Sequence, residues 1–439
     1  MNVLLIGSGA REHAIARAIN QSPQSANLFC FGSSNNPGIL NLAAGYTTGG
    51  LTDVAAMVSF AQKQNIDLVI VGPENPLASG VVDALKMVGI PAVGPTKKLA
   101  RIETSKSFAR QLLVDYKIMA YPRFQHFSAT DGLEDFIHGL GGNYVVKADG
   151  LMGGKGVKVS GEHLPTIADG LLWCAELIKN GSTFLIEEKL IGQEFSLMSF
   201  CDGEHLAHMP AVQDHKRAFV GDTGPNTGGM GSYSDANHLL PFLTIEDVRA
   251  AQFITECVAK ALRDRCGEPY IGILYGGFMA TADGVKLIEY NARFGDPEAM
   301  NVLPILESDF LAVCQSMLAG KLRSGDVHFA DQATVCKYAV PDGYPDNPVK
   351  NQIIDVSGIK NQNCLYFGAV DVTLEGVMET GSRTAAVVGI NKNIAAAEAA
   401  AEAAINSIQG PLFHRQDIGT RDLIARRVDM MRQLRSTPS

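Results

Sequence analysis

Residues 1–20 of the chain read MNVLLIGSGAREHAIARAIN. The apolar run at 3–6 is typical of a strand that is buried on both faces. Gly7, Ser8 and Gly9 interrupt this run, and apolar residues then recur at helical spacing up to Ile19. A strand, a glycine turn and a helix in this order predict the first unit of a doubly wound α/β domain.

The same alternation continues over the following residues. Apolar runs at 66–71 and 90–93 end at Gly-Pro pairs, and residues 81–88 between them have a helical pattern. Alternating strands and helices favour a parallel sheet. We therefore predict an N-terminal α/β domain over residues 1–105.

The remainder of the chain has a different pattern. Two apolar runs flank a glycine-rich stretch at 150–156, which predicts a hairpin within a small α+β lid over about 122–190. Strands at 333–340 and 384–390 accompany an alanine-rich helix at 395–404. We expect a central domain over 106–325 that contains the lid, and an α+β C-terminal domain over 326–439.

Composition excludes several classes of protein. With 37 Lys and Arg against 46 Asp and Glu, the net charge of −9 argues against binding to nucleic acid. The eight cysteines form no C-x-x-C pair, which indicates reduced thiols rather than disulfides or a zinc site. No apolar run is long enough to span a membrane, and the N-terminus does not resemble a signal peptide, so we expect a cytoplasmic protein.

The first glycine turn is a candidate phosphate site. A dinucleotide-binding fingerprint requires a third glycine where Glu12 stands, and a carboxylate there would repel a pyrophosphate. This argues against a nicotinamide-dependent oxidoreductase. Arg11 and Glu12 together could instead hold a phosphate and a sugar hydroxyl.

The second glycine-rich stretch, 150–156, is not a P-loop, because its spacing is one residue short and Gly156 replaces the Ser or Thr that binds Mg²⁺. Backbone N–H groups of such a hairpin can cover nucleotide phosphates, with Lys147 and Lys155 as countercharges. A mobile surface hairpin is the alternative interpretation.

The third candidate is the strand at 285–291. Because side chains alternate along a strand, Glu289 and Asn291 point to the same face. A carboxylate and an amide oxygen are suitable ligands for Mg²⁺ on a nucleotide. Arg293 follows them and can neutralise a carboxylate or a transferring phosphoryl group. The glycine-rich stretch at 221–231 indicates a functional loop.

These motifs resemble a known family over nearly the whole chain. The sequence is similar to the phosphoribosylamine–glycine ligases (glycinamide ribonucleotide synthetases) of the ATP-grasp superfamily, and residues 229–236 (GMGSYSDA) resemble the archaeal branch more than the common bacterial one. The resemblance is carried by 6–13 (IGSGAREH), 71–77 (VGPENPL), 147–150 (KADG), 213–217 (QDHKR), 222–233 (DTGPNTGGMGSY), 291–298 (NARFGDPE), 337–345 (KYAVPDGYP) and 410–419 (GPLFHRQDIG).

The resemblance implies a reaction of purine biosynthesis. ATP, glycine and 5-phosphoribosylamine would give ADP, phosphate and glycinamide ribonucleotide through glycyl phosphate, with Mg²⁺ or Mn²⁺ as the metal. It also implies an ATP-grasp fold, small-molecule substrates, and a monomer or small homo-oligomer.

The resemblance also implies roles for individual residues. For ATP, these are Lys106 and Lys147 on the phosphates, Gly153, Gly154, Lys155 and Gly156 covering them, the backbone of Glu187, Glu188, Lys189 and Leu190 on adenine, and Glu194 on the ribose. For the metal, they are Glu289 and Asn291, with Arg293 as the catalytic residue. For the other substrates, they are Gly9, Arg11, Glu12 and Glu74 on phosphoribosylamine, and Asp214, Lys216 and Asn226 along the shared cleft.

One departure from the ATP-grasp pattern and two alternative functions remain to be considered. Many ATP-grasp enzymes have a further metal ligand about twelve residues before the Glu-x-Asn pair, where this chain has Gly277. A ligase acting on another purine intermediate is disfavoured by the 222–233 motif. A regulatory nucleotide-binding module without turnover is hard to reconcile with both Glu289 and Arg293.

Overall fold

The computed structural model describes residues 1–150 and 156–436. The N-terminal part forms a five-stranded parallel sheet in the order β3-β2-β1-β4-β5. This confirms the doubly wound architecture predicted from the first twenty residues. Its elements are β1 (Asn2–Ile6), α1 (Ala10–Asn20), β2 (Asn27–Gly32), α2 (Pro37–Leu40), β3 (Gly45–Thr48), α3 (Val54–Lys63), β4 (Leu68–Val71), α4 (Glu74–Ser79), α5 (Val81–Met87), β5 (Ala92–Val93), α6 (Arg101–Thr104) and α7 (Lys106–Asp115).

The lid elements surround an apolar core of their own. Phe127, Tyr144 and Phe184 are buried there, separately from the main core of the molecule. The four strands lie in the order β6-β9-β7-β8, and every adjacent pair is antiparallel. The elements are β6 (Phe124–Phe127), α8 (Leu133–Gly139), β7 (Tyr144–Ala148), β8 (Val157–Val159), α9 (Ile167–Lys179) and β9 (Phe184–Glu188).

A second antiparallel sheet, in the order β11-β10-β16-β17, carries the candidate metal ligands. Gly277 of β16 lies opposite Glu289 of β17, next to an irregularity in the register. The elements of this part are β10 (Gln193–Cys201), β11 (Leu206–His208), β12 (Gln213–Asp214), β13 (Arg217–Phe219), β14 (Thr223–Asn226), β15 (Gly231–Ser234), α10 (Ile245–Cys266), β16 (Gly272–Thr281), β17 (Gly284–Asn291), α11 (Ala299–Val302) and α12 (Phe310–Leu318).

The C-terminal sheet takes two strands from the middle of the chain. Its main path is β12-β15-β18-β23-β20, and β24 pairs with β18. The QDHKR motif and the glycine-rich loop are thereby anchored to C-terminal strands. The elements are β18 (Ala333–Pro341), β19 (Ile353–Ile354), β20 (Leu365–Phe367), β21 (Val370–Thr373), β22 (Gly376–Glu379), β23 (Ala385–Asn391), α13 (Ile394–Ile405), β24 (Leu412–Phe413) and α14 (Arg421–Ser436).

Each of the eight cysteines is a free thiol. Over 1–150 and 156–436, no group of three or more His, Cys, Asp or Glu side chains is arranged to hold a metal ion. None of the helices described here combines the length and apolar character needed to cross a membrane.

Candidate active site

A cavity of about 900 Å³ opens where the N-terminal, central and C-terminal elements meet. The structure brings most of the candidate residues to its walls, although they come from distant parts of the sequence. Those that line it are Arg11, Glu74, Lys106, Lys147, Gly156, Glu187, Glu188, Lys189, Leu190, Glu194, Asp214, Lys216, Asn226, Glu289, Asn291 and Arg293. Gly153, Gly154 and Lys155 lie outside the described residues.

Lys147, on strand β7 of the lid, is held by a buried ion cluster. Its Nζ lies 2.8 Å from Oε2 of Glu187 and donates to the Ile288 carbonyl at 3.2 Å. Arg110 contacts Oε1 of the same carboxylate at 2.6 Å. Burial by itself would raise the pKa of Glu187, but Arg110 and Lys147 outweigh it and lower that pKa to about 2. The carboxylate therefore positions Lys147.

Lys106 is also placed by the chain around the second glycine-rich stretch. Its Nζ donates to the Gly150 carbonyl at 3.0 Å, and its backbone N–H donates to Oδ1 of Asp149 at 2.7 Å. Burial lowers the pKa of Lys106, an effect that the nearby Glu289 opposes. Lys106 and Lys147 thus bring two ammonium groups to the same wall of the cavity.

The stretch 187–190 leaves one backbone donor at the cavity wall. The N–H of Glu188 donates to Arg123 at 2.9 Å, and the N–H of Lys189 donates to Asn143 at 3.1 Å. The N–H of Leu190 donates to no acceptor in the described part of the chain. The Leu190 N–H is therefore available as a hydrogen-bond donor to a planar base.

Glu289 lies among four cations. Burial would raise its pKa, but Lys216, Lys147, Lys106 and Arg293 together lower it, so the carboxylate stays ionised. The side chains of Glu289 and Asn291 both reach the cavity, as predicted from the strand period. An ionised carboxylate beside an amide oxygen fits a hard divalent cation that completes its coordination with phosphate oxygens and water.

Arg293 bridges the N-terminal and central parts of the cavity. Its Nε lies 3.2 Å from Glu74, and its Nη2 lies 3.0 Å from Glu103. Glu103 also accepts from the backbone N–H of Ala292 at 2.8 Å. Sequence reasoning missed Glu103, which belongs to no recognised motif and sits in the short helix α6.

The glycine turn after β1 is locked by Glu12. This carboxylate accepts from the Gly9 N–H at 2.7 Å and from Nε of Arg11 at 2.5 Å. Arg11 in turn donates to the Phe294 carbonyl at 3.2 Å. Glu12 is only 3% exposed, and neither it nor Gly9 is among the cavity-lining residues. Glu12 therefore acts on the cavity through Arg11.

Two further carboxylates, those of Asp214 and Glu298, lie near Lys216. Burial, and then the neighbouring Glu298, raise the pKa of Asp214 well above its usual value. Glu298 accepts from the hydroxyls of Tyr275 and Ser196, the latter at 3.0 Å. Glu298 belongs to the NARFGDPE motif, which could have signalled it, whereas no motif pointed to Tyr275 or Ser196.

Comparison with known families identifies the architecture. Three models of phosphoribosylglycinamide synthetase match in succession: the N domain at 1–103, the ATP-grasp (A) domain at 104–299 and the C domain at 334–421. A phosphoribosylamine–glycine ligase of Methanosarcina barkeri is 47% identical over 435 residues, which cover 99% of this chain and 100% of the relative. The chain belongs to the phosphoribosylamine–glycine ligase family.

Other members of the phosphoribosylamine–glycine ligase family agree with this assignment. The ligase of Methanococcus maripaludis is 47% identical over 444 residues, covering 99% of this chain and 100% of its own. The crystal structure of the Thermotoga maritima ligase superposes with a TM-score of 0.79 at 26% identity, over 95% of this chain and 100% of that chain. The likeness to methanogen ligases agrees with the predicted archaeal branch.

Proposed function

We propose that the cavity is the active site of an ATP-dependent ligase that joins glycine to 5-phosphoribosylamine. The products are glycinamide ribonucleotide, ADP and phosphate, in an early step of purine biosynthesis. The observation that carries the proposal is the convergence of Lys106, Lys147, Glu289 and Arg293 on one cavity. This set supplies countercharges for phosphates, a metal ligand and an anion-binding guanidinium.

The chemistry requires positioning and charge neutralisation rather than a side-chain nucleophile. The carboxylate of glycine attacks the γ-phosphorus of ATP, so ADP leaves and glycyl phosphate forms. The amine of phosphoribosylamine then attacks the carbonyl carbon of glycyl phosphate, and phosphate leaves. Arg293 stabilises the glycine carboxylate or the acyl phosphate derived from it, because Glu74 and Glu103 hold its guanidinium at the cavity wall.

The nucleotide lies under the lid in this proposal. Lys106 and Lys147 contact its phosphates, the backbone of 187–190 binds adenine through the Leu190 N–H, and Glu194 binds the ribose hydroxyls. Gly156 and the residues before it cover the phosphates. Glu289 and Asn291 hold Mg²⁺ or Mn²⁺, which when bound neutralises charge on the transferring phosphoryl group.

Phosphoribosylamine lies toward the N-terminal domain, next to Arg11 and Glu74. Gly9 and Glu12 contribute by holding the Arg11 side chain, and Asp214, Lys216 and Asn226 line the space between the substrates. The domains of the proposal are 1–105, 106–325 with its lid at about 122–190, and 326–439. The enzyme would work in the cytoplasm as a monomer or a small homo-oligomer.

The test is phosphate release from ATP with Mg²⁺ and glycine, with and without freshly prepared phosphoribosylamine. We expect release to depend on both substrates, and glycinamide ribonucleotide to be detected by its mass. Phosphate release without that product would overturn the proposed acceptor, and with it the roles of Arg11 and Glu74.

A further inference from the structure

Arg383 reaches the cavity from the C-terminal part of the chain, in the loop between β22 and β23. One end of its guanidinium, Nη1, donates to the carbonyls of Gly228 at 2.6 Å, Gly229 at 3.2 Å and Asp296 at 2.9 Å. The Asp296 carboxylate lies 3.3 Å away, and the Tyr338 ring lies 4.7 Å from the guanidinium carbon. This end is therefore fixed on two loops of the active site.

The other edge of the same guanidinium has no hydrogen-bond partner among the described residues. Arg383 lines the cavity, and neither Nε nor Nη2 donates to any group in residues 1–150 or 156–436. The Nε–Nη2 edge is the face with which arginine binds a carboxylate or phosphate through two parallel hydrogen bonds. The side chain is 17% exposed, so an anion can reach it while its position is held.

The backbone of Arg383 is linked to the N-terminal glycine turn through Ala369, Phe367 and Asn36. The backbone carbonyl of Arg383 accepts from Ala369, two residues beyond Phe367. Asn36 donates to the carbonyls of both Phe367 and Ser8, at 2.8 Å each. Ser8 lies in the turn after β1, at the carboxyl end of a parallel sheet, where ligands of such domains bind. Arg383 also lines the same cavity as Arg11 and Glu74, the residues proposed to lie next to phosphoribosylamine.

We propose that Arg383 binds the 5-phosphate of phosphoribosylamine through its Nε–Nη2 edge. The inference rests on the proposed function, because it assigns one group of that substrate to one residue. It also gives a role in substrate binding to the C-terminal domain, which contributes none of the other residues assigned to a substrate. A sugar phosphate is the class of ligand that this residue selects.

The experiment measures binding of ribose 5-phosphate, with ribose as the probe that lacks the phosphate. Arg383→Ala and Arg383→Lys are compared with the wild type by calorimetry and by the KM of each substrate. We expect both variants to bind ribose 5-phosphate roughly 10- to 100-fold more weakly, since each loses a charge-assisted bidentate contact. The KM of phosphoribosylamine should also rise in both variants, while the KM values of ATP and glycine stay within about twofold of the wild type.

The chain offers a matched control in Arg17. It also donates to three backbone carbonyls, those of Gln362, Asn363 and Leu365, and its guanidinium lies 4.3 Å from the Tyr366 ring. Arg17 is absent from the cavity wall, so Arg17→Ala should leave the binding of ribose 5-phosphate unchanged.

Three results would overturn the proposal: unchanged binding of ribose 5-phosphate by both Arg383 variants, an equal rise in the KM of ATP, or the same loss in Arg17→Ala. The proposed function fails separately. If the wild type binds ribose 5-phosphate through Arg383 but makes no glycinamide ribonucleotide, the phosphate site stands and the ligase reaction does not.

Discussion

Nη2 of Arg293 lies 3.0 Å from Oε1 of Glu103, and the other oxygen of that carboxylate accepts from the backbone N–H of Ala292. Glu103 therefore binds both the Arg293 guanidinium and the backbone next to it. Burial raises the pKa of Glu103, an effect that Arg293 counteracts. The arrangement fixes Arg293 without the help of a substrate.

Replacing Glu103 with glutamine should reduce kcat by roughly 10- to 100-fold, because a small displacement of a catalytic group has an effect of this size. The KM of ATP should change little, since the proposed nucleotide site lies elsewhere in the cavity. Steady-state kinetics with each substrate varied in turn measures both. Asp202→Asn is the matched control: Asp202 is also buried and accepts from the backbone N–H groups of Glu204 and His205, but it does not line the cavity. A kcat for Glu103→Gln no lower than that of the control would contradict the positioning role.

Replacing Glu289 with glutamine should raise the Mg²⁺ concentration needed for half-maximal activity and lower kcat roughly 100-fold or more, because the variant loses the charged metal ligand. Titration of Mn²⁺ binding in the presence of ADP gives a second measurement. Asp283→Asn is the control, since Asp283 is an exposed acid in the turn of the same β16–β17 hairpin. Normal turnover of Glu289→Gln at limiting Mg²⁺ would remove Glu289 from the metal site.

The Glu187 cluster predicts a pH-dependent stability. The pKa of Glu187 is lowered from 4.5 to about 2 in the folded protein, so the folded state favours the ionised form. The resulting stabilisation, on the order of 3 kcal/mol, is present above pH 4.5 and is lost as the pH falls toward 2. Glu187→Gln should therefore be destabilised at pH 7, and the difference from the wild type should shrink as the pH falls through this range.

Thermal unfolding of both proteins from pH 7 to pH 3 measures that difference. The control is Glu188→Gln, because the ion pair of Glu188 with Arg123 is exposed and contributes little. A constant difference across the range would show that the ionisation of Glu187 does not contribute to stability.

The close packing of Glu12 against Gly72 should affect the binding of phosphoribosylamine. A Cβ at this position would lie 2.2 Å from Oε1 of Glu12, the carboxylate that holds Arg11. Gly72→Ala should therefore displace Glu12 and raise the KM of phosphoribosylamine at least several-fold, with a smaller effect on the KM of ATP. Gly139→Ala is the control, because nothing lies within 4 Å of a Cβ there. Equal KM values in the two variants would contradict the link.

Local patterns in the sequence were sufficient for several elements. The apolar run before the first glycine turn became β1, with four of its five residues buried. The strand predicted at 285–291 is β17, and Glu289 and Asn291 do share the cavity face. Such features depend on residues that are close together in the sequence, where periodicity is informative.

Other parts of the site depend on pairs that no local pattern connects. Ala292 and Glu103 are 189 positions apart, and Arg383 is 87 positions from the Asp296 carbonyl that it binds. The pairing of β15 with β18, which brings the glycine-rich loop onto the C-terminal sheet, joins residues 100 to 106 positions apart. A single sequence does not report contacts of this kind.

The sequence by itself determined the α/β beginning of the chain, the family, and the residue types that ATP chemistry requires, because spacing and motifs are properties of neighbouring residues. Only the tertiary structure decided how those residues are used. It turned Glu187 into the buried partner of Lys147, and it brought Glu103 and Arg383 to the cavity. The physical reason is that a buried charge must be paired, and the partner available to it is set by the packing of distant elements.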